Sequence, residues 1–381
     1  MNFEFNIYST PLLFAFLQGW IYAILFWIRA SRYERLSDGL FGCVLAALTF
    51  EIWEYLLGFG GIEILWQELE FFPRNFGFLL PPLVWFYLKS QFNPNFAFRW
   101  ADLRHALPFL LYLGYHILVF AQGRTFVEHW KENVHYPFGF HLLELALSFI
   151  LEVIYFYLAW RLYRDYRKWI PSQFSNVETV SFSWFRNFLL AFVSASIVGW
   201  GMTLIDFWLD LDFWHDWWDE LFKAGLIYYL SIAGYAQLQV RKLRFIGATA
   251  DSAVISEERA ARLSGSELAL WKNNIENLME REKVFLIPEL TLNDLAQKLN
   301  TNSSILSAVI NAAFEKNFND FVNTYRVEAV KEALYDPQKT HLSLLGIGLE
   351  CGFNSKSTFN RAFKKTTGLS PSEFYRSIRP K

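Results

Sequence analysis

A chain of 381 residues is long enough for two or three domains, and at 53% hydrophobic and 19% aromatic it is too apolar to be wholly soluble. The apolar residues concentrate before about Val240 and the remainder has an ordinary soluble composition, so the formal net charge of −2 averages two unlike halves. Two cysteines, Cys43 in an apolar stretch and Cys351 in a soluble one, exclude a disulfide framework or a cysteine metal site and are expected to be packing residues.

Seven stretches are candidate membrane spans, near 11–28, 37–58, 70–88, 105–121, 139–160, 186–207 and 220–240. Each is close to the ~20 residues that a spanning helix requires. The first lacks a basic lead and is followed by Arg29, Arg32 and Arg35, so it is expected to stay in the protein rather than serve as a cleaved signal. The third contains Pro81-Pro82, which neighbouring helices would have to accommodate.

Lys and Arg fall on alternate loops: Arg29, Arg32 and Arg35 after the first span, Lys89, Arg99 and Arg104 after the third, Arg161, Arg164, Arg167 and Lys168 after the fifth, and Arg241, Lys242 and Arg244 after the seventh. The intervening loops are poor in them, and the sixth has acids beside Trp208, Trp214, Trp217 and Trp218, a composition suited to the outer interface. The expected topology is a multi-pass protein of the inner (cytoplasmic) membrane with its N-terminus outside and its C-terminus in the cytoplasm.

Polar residues inside the spans are Glu51, Glu54, His116, Glu144, Glu152, Asp206, Glu220 and Lys223. They fit either helix-to-helix hydrogen bonding or a ligand or ion pocket. Glu51 and Glu54, three residues apart, share one helix face in the outer half of the second span. Asp206 and Glu220 belong to the same outer level, with Lys223 as the one cation close by. This acid excess suits a cationic ligand, a metal ion or protons, and Glu51, Glu54, Asp206 and Glu220 are the expected signal-sensing set. His129, His135, His141 and His215 are too scattered in sequence for a metal site. No Walker loop, His-Glu-x-x-His, Gly-x-Ser-x-Gly or histidine-kinase signature occurs, so neither an enzyme nor a cofactor is expected.

After Val240 the character changes. Residues 245–263 are either a linker or a helical extension of the seventh span, and Ser264-Gly265-Ser266-Glu267 is a capping box for a helix through Trp271, Ile275, Leu278 and Met279. A first helix-turn-helix follows over Leu290–Phe314: Thr291 caps Leu292–Leu299, Asn300–Asn302 form the turn, and the next helix buries Leu306, Val309 and Ile310. Its outer stripe is expected to be Ser304, Ser307, Ala308 and Asn311. Asn317–Asp336 then has the pattern of a single amphipathic helix.

The second motif, Ser343–Arg376, is the most specific. Ser343 caps a short helix ending at Cys351, Gly352 supplies the positive φ of a sharp turn, and Asn354 or Ser355 caps the next helix. There Phe359, Ala362 and Phe363 point inward and leave Ser357, Arg361 and Lys364 as an outward stripe flanked by Lys356 and Asn360. From Lys356 onward seven basic residues face the single acid Glu373, a composition that expects a polyanion.

This pattern resembles the AraC/XylS family of bacterial transcription regulators, through Ile347, Gly348, Gly352, Phe353, Phe359, Phe363, Lys364, Lys365, Gly368, Ser370, Pro371, Phe374 and Tyr375, and through Asn323, Tyr325, Arg326 and Val327 of the connecting helix. The family usually has Ala at Gly348 and Gly at Glu315. The resemblance covers residues 270–378 or so and implies two DNA-reading helices, with Ser304, Ser307 and Ala308 at positions where base-reading side chains are often found. Arg361 is the expected base or phosphate contact, Lys356 and Ser357 face base edges or nearby phosphates, Lys364 faces phosphate, and Asn311 and Asn360 complete the set.

The expected fold is all-α: a seven-helix transmembrane bundle over 1–244, a linker over 245–263, and a soluble AraC-type domain with two helix-turn-helix motifs over 264–381. The expected function is that of a membrane-embedded one-component transcription regulator. Its expected partners are double-stranded DNA, the lipid bilayer, an unidentified signal ligand and a second copy of the chain in a homodimer. The rival is a transporter or channel-like membrane protein with a helix-turn-helix docking tail, which inverted repeats or broken helices would favour.

Overall fold

The computed structural model describes residues 3–93, 96–175, 182–236, 265–339 and 341–378. The 245–263 segment lies outside them, as do Arg241, Lys242, Arg244, Ser264, Arg379 and Lys381 of the sequence reading. Among the described residues the chain is helical with no strand, and it forms two compact units: Met1–Tyr163 with Ser183–Arg244, and Arg164–Phe182 with Phe245–Lys381.

The first unit contains α1 (Ser9–Tyr33), α2 (Leu36–Glu51), α3 (Trp53–Phe59), α4 (Leu80–Phe92), α5 (Leu107–Phe120), most of α6 (Phe140–Trp169), α7 (Phe182–Leu209) and α8 (Trp217–Ala236). Its core joins Leu12, Ala23 and Phe26 of α1 to Phe41, Val44 and Leu45 of α2, Val84 and Leu88 of α4, and Ile227 and Leu230 of α8, all buried. Arg29 grips the buried Asp38 through two hydrogen bonds of 2.8 Å and so ties α1 to α2. The outward sides of α5, α6 and α7 carry exposed Leu111, Leu118, Ile150, Tyr157, Ile197 and Leu204, the reverse of a water-soluble helix.

Five helices among the described residues are long and apolar enough to cross a membrane: Ser9–Tyr33, Leu36–Phe59, Trp100–Phe120, Phe140–Ser172 and Ser183–Leu209. The third and seventh expected spans, helical over Leu80–Phe92 and Trp217–Ala236, fall outside this set. The third is shorter than expected, because residues 68–79 form turns and irregular chain and Pro81-Pro82 occupy the first turn of a 13-residue helix. There the prolines initiate α4, where their missing N–H groups cost nothing, and break no carbonyl pairing. Trp208, Trp214 and Trp218 are exposed, whereas the Trp217 indole donates to the Tyr8 carbonyl at 3.2 Å.

The second unit is built on α9 (Gly265–Glu280), α10 (Leu292–Lys298), α11 (Ser303–Phe314), α12 (Phe318–Tyr335), α13 (Leu344–Glu350), α14 (Lys356–Thr367) and α15 (Pro371–Ile378). Helix α12 serves two cores. Phe318, Phe321 and Val322 join Ile275, Met279, Leu295, Leu306 and Val309 in the first, while Val327, Val330 and Leu334 join Ile347, Phe353, Phe359 and Phe363 in the second. Eighteen residues at 1.5 Å each give α12 a length of roughly 27 Å.

Candidate nucleic-acid interface

The two motifs are set by local side-chain caps that satisfy the first N–H groups of each helix. Thr291 and Asp294 form a reciprocal capping box at α10, with bonds of 3.1 and 3.0 Å. Asn302 caps α11 by accepting from Ile305 N at 2.9 Å, Asn317 caps α12, Ser343 caps α13, and Ser355 rather than Asn354 caps α14. The sharp turns fall on Asn300 (φ 52°) and Gly352 (φ 89°).

On α14, Thr358, Phe359, Ala362 and Phe363 are buried, and Lys356, Ser357, Asn360, Arg361 and Lys364 are all exposed. The helix therefore presents three cations and two short polar side chains along one face while the other is locked in the second core. Lys365, next in sequence, turns back: its ammonium donates to both Asp320 carboxylate oxygens at 2.7 Å, tying α14 to α12. Glu373 closes the α15 capping box with Ser370, and those hydrogen bonds hold its carboxyl below the usual range.

The first motif differs from expectation at Ala308, which is buried. Helix α11 packs against α9, α10 and α12, so its covered face is wider than the three-residue seam suggested by Leu306, Val309 and Ile310. Ser304 and Asn311 are exposed and Ser307 half-buried, so this face offers only short neutral groups.

Between the motifs stands Arg326, fully buried, a residue the sequence reading noted only as a family match. Its guanidinium donates to the carbonyls of Phe285 (2.8 Å) and Ile287 (2.7 Å) and lies 5.9 Å from the Phe353 ring centroid. Burial pushes it down to about 10, which leaves it charged at neutral pH. A Cβ added at Gly352 would stand 2.5 Å from the same Phe285 carbonyl, so the turn of the second motif closes directly on the lead-in to the first. Cys351 is buried beside it, its thiol pushed up to about 11 by burial, in keeping with a packing role.

Within the first unit a cavity of about 580 Å³ is lined by polar side chains from several helices. Glu51 and Glu54 reach it together with Lys223. Glu54 pairs with Arg74 at 2.8 Å, a cation the sequence reading did not bring to this level. Lys223 bridges Asp219 (2.9 Å) and the buried Glu220 (2.7 Å). Asp206 is exposed and accepts from Leu211 N at 3.0 Å at the end of α7, outside the cavity wall. Histidines separated in sequence meet here: His116 lies 3.1 Å from Glu144, His135 pairs with Tyr115 at 2.9 Å, and His141 lines the same wall. Glu152 is held by the Ser196 hydroxyl and the Trp200 indole, and neither it nor Glu51 has a cation in ion-pair contact among the described residues. No cluster of metal-ligating groups occurs among the described residues.

Residues 295–377 match a helix-turn-helix domain family. Over 85 residues the chain is 29% identical to the melibiose operon regulatory protein of Escherichia coli K12, a match covering 22% of this chain and 27% of that protein. It is 30% identical over 89 residues to the Msm operon regulatory protein of Streptococcus mutans, covering 23% and 31%. It is 26% identical over 106 residues to the uncharacterized HTH-type transcriptional regulator YtdP of Bacillus subtilis, covering 28% and 13%. The chain thus spans less than a third of the length of each of these relatives. No solved structure matches it.

Proposed function

We propose, from a C-terminal domain that is an AraC-type helix-turn-helix domain of the transcription-regulator kind, that the whole chain is a membrane-embedded one-component regulator. In this reading the apolar half senses a signal and the C-terminal half binds specific double-stranded DNA from the cytoplasmic face. The observation that carries the DNA part is the exposed row Lys356, Ser357, Asn360, Arg361 and Lys364 on a helix whose opposite face is locked in the core. Arg361 has the fork geometry to read a guanine edge and Lys364 the point charge for a phosphate. Ser304, Ser307 and Asn311 add weak polar contacts, and α12, roughly 27 Å long, is of the length needed to set two helices toward successive major grooves, which lie roughly 34 Å apart on one face.

Support for the membrane part comes from five helices of spanning length and composition and from the exposed apolar faces of α5–α7. The alternating Lys and Arg content of the loops supports an inner-membrane topology with the C-terminus inside. The polar cavity is the proposed signal site, with Glu51 and Glu54 on its wall and Glu220 holding Lys223 in place. Two carboxylates without a paired cation, Glu51 and Glu152, favour a small cationic ligand. The test is genome-wide DNA crosslinking of the full chain, followed by binding of the recovered fragments to the purified membrane protein at several salt concentrations. Saturable, sequence-selective binding supports the reading, and recovery of no enriched fragment overturns it.

A further inference from the structure

Helix α6 continues, beyond its apolar part, into a short turn at Ile170–Ser172 and a short segment, Gln173–Ser175, that belongs to the DNA-binding unit. The segment pairs with Leu290–Leu292 as a minimal antiparallel ladder: Ser175 N donates to the Leu290 carbonyl at 3.2 Å, Leu292 N donates to the Gln173 carbonyl at 2.9 Å, and Phe174 stands opposite Thr291. The Ser175 hydroxyl donates to the same Leu290 carbonyl at 2.7 Å. Leu292 N is one of the N–H groups at the start of α10 that the helix itself leaves unpaired, so the segment supplies a missing acceptor.

From the other side, three buried polar residues of α12 converge on this segment. Asn319 Nδ2 donates to the carbonyls of Phe174 (3.2 Å) and Ser175 (2.8 Å), Asn323 Nδ2 reaches the Ser175 carbonyl at 3.4 Å, and Arg326 donates to the Ser175 hydroxyl at 3.1 Å. Ile170 and Ser175 are fully buried. Asn323 also donates to Asn319 Oδ1 at 3.2 Å and Arg326 also donates to the Phe285 and Ile287 carbonyls, whereas Asn319 Nδ2 donates to the carbonyls of this segment, so burying Asn319 without the segment would leave a donor unpaired. None of the DNA-facing side chains takes part, so the contact leaves that face open.

We propose that Asn319, Asn323 and Arg326 form a docking cradle for a short peptide segment, and that its occupant is this chain's own Gln173–Ser175. The docked segment fixes the lead-in of the first motif to the end of α6, giving the DNA-binding domain an attachment to the apolar half in addition to the 245–263 connection. A movement of α6 along its axis then pulls on Leu290–Leu292 and α12 directly. This inference does not depend on what the cavity binds.

The test uses the full chain in lipid nanodiscs with Cys43→Ala and Cys351→Ala. Phe174 and Thr291 form the narrow, non-hydrogen-bonded type of antiparallel pair, which suits a disulfide. Phe174→Cys/Thr291→Cys should crosslink under mild oxidation in most molecules, and Phe174→Cys/Ser372→Cys should not; equal crosslinking of the two overturns the docking. In a second arm, Ser175→Trp should speed amide hydrogen exchange across Leu290–Lys298 about tenfold while leaving Lys356–Phe363 unchanged. Exchange that is unaltered in both segments, or raised equally in both, overturns the proposed link to the first motif.

Discussion

Lys365 and Asp320, 45 positions apart, form a two-oxygen ion pair at 2.7 Å that joins the second recognition helix to the helix between the motifs. Both side chains are partly in water, Lys365 65% exposed, so the pair adds at most about 1 kcal/mol to stability. Its consequence is geometric, since it fixes the angle at which α14 leaves α12. Lys365→Gln and Asp320→Asn should each lower affinity for a two-motif site several-fold while thermal unfolding shifts little. A Lys365 that instead touched phosphate would lose affinity alone, and Asp320→Asn would then bind as well as the unaltered chain.

Arg361 and Lys364 should separate in a titration of operator binding against salt. Arg361→Ala is expected to cost about 1–3 kcal/mol on the specific site and to relax selection at one base position. Lys364→Ala is expected to weaken all sequences alike and to lower the salt slope by about 1. Fluorescence anisotropy with specific and scrambled duplexes distinguishes the two.

Much of the DNA-binding domain was legible because its determinants are local. Thr291, Asn317, Ser343 and Gly368 lie next to the helix ends they set, and Phe359 and Phe363 repeat at the helical period. Ser355 as the cap was one of two adjacent choices. What escaped depends on partners far along the chain. Ala308 is covered because α11 is flanked on several sides, Arg74 meets Glu54 from the next loop, and His116, His135 and His141 converge only once α5 and α6 pack. Asn319 carried no signal of its own and Asn323 stood only as a match to the family pattern, because the Ser175 carbonyl they meet belongs to a residue more than 140 positions earlier. In the third stretch, hydropathy alone concealed that Pro81-Pro82 start a helix rather than interrupt one.

Two departures from the family pattern should have opposite signs. A Cβ at Gly348 would stand 3.1 Å from the Phe359 ring, itself buried between Phe353 and Phe363. The helix-propensity benefit of Gly348→Ala, about 1 kcal/mol, is therefore set against an overpacking cost of about 1–3 kcal/mol, and the variant should be less stable. Glu315 ends α11 in the left-handed region at φ 54°, where glycine carries no penalty, so Glu315→Gly should stabilise by about 1 kcal/mol. Denaturant unfolding of the full chain in detergent, followed by a probe in the soluble half, gives both signs.

Topology can be read from reporter fusions. Alkaline phosphatase joined after Arg74 or Asp210 should be active, and after Arg35 or Arg104 silent, because the loops richer in Lys and Arg are expected to stay inside. The reverse pattern would put the helix-turn-helix motifs outside the cell and end the regulator reading.

The signal site is best probed at Glu51. Replacing Glu54 as well would remove the carboxylate that pairs with the half-buried Arg74 at the cavity wall, which changes the local packing for reasons unrelated to sensing. Glu51 lines the same wall without a cation in ion-pair contact, so Glu51→Gln changes the charge offered to a ligand while keeping the shape of the side chain. With membrane protein level held equal, Glu51→Gln should lower the response of a target-promoter reporter at least tenfold at a fixed signal concentration. The paired control Glu54→Gln/Arg74→Gln removes one charge of each sign and should retain more of the response. Equal responses from Glu51→Gln and the unaltered chain would return Glu51 to helix packing and leave the cavity without a sensing role.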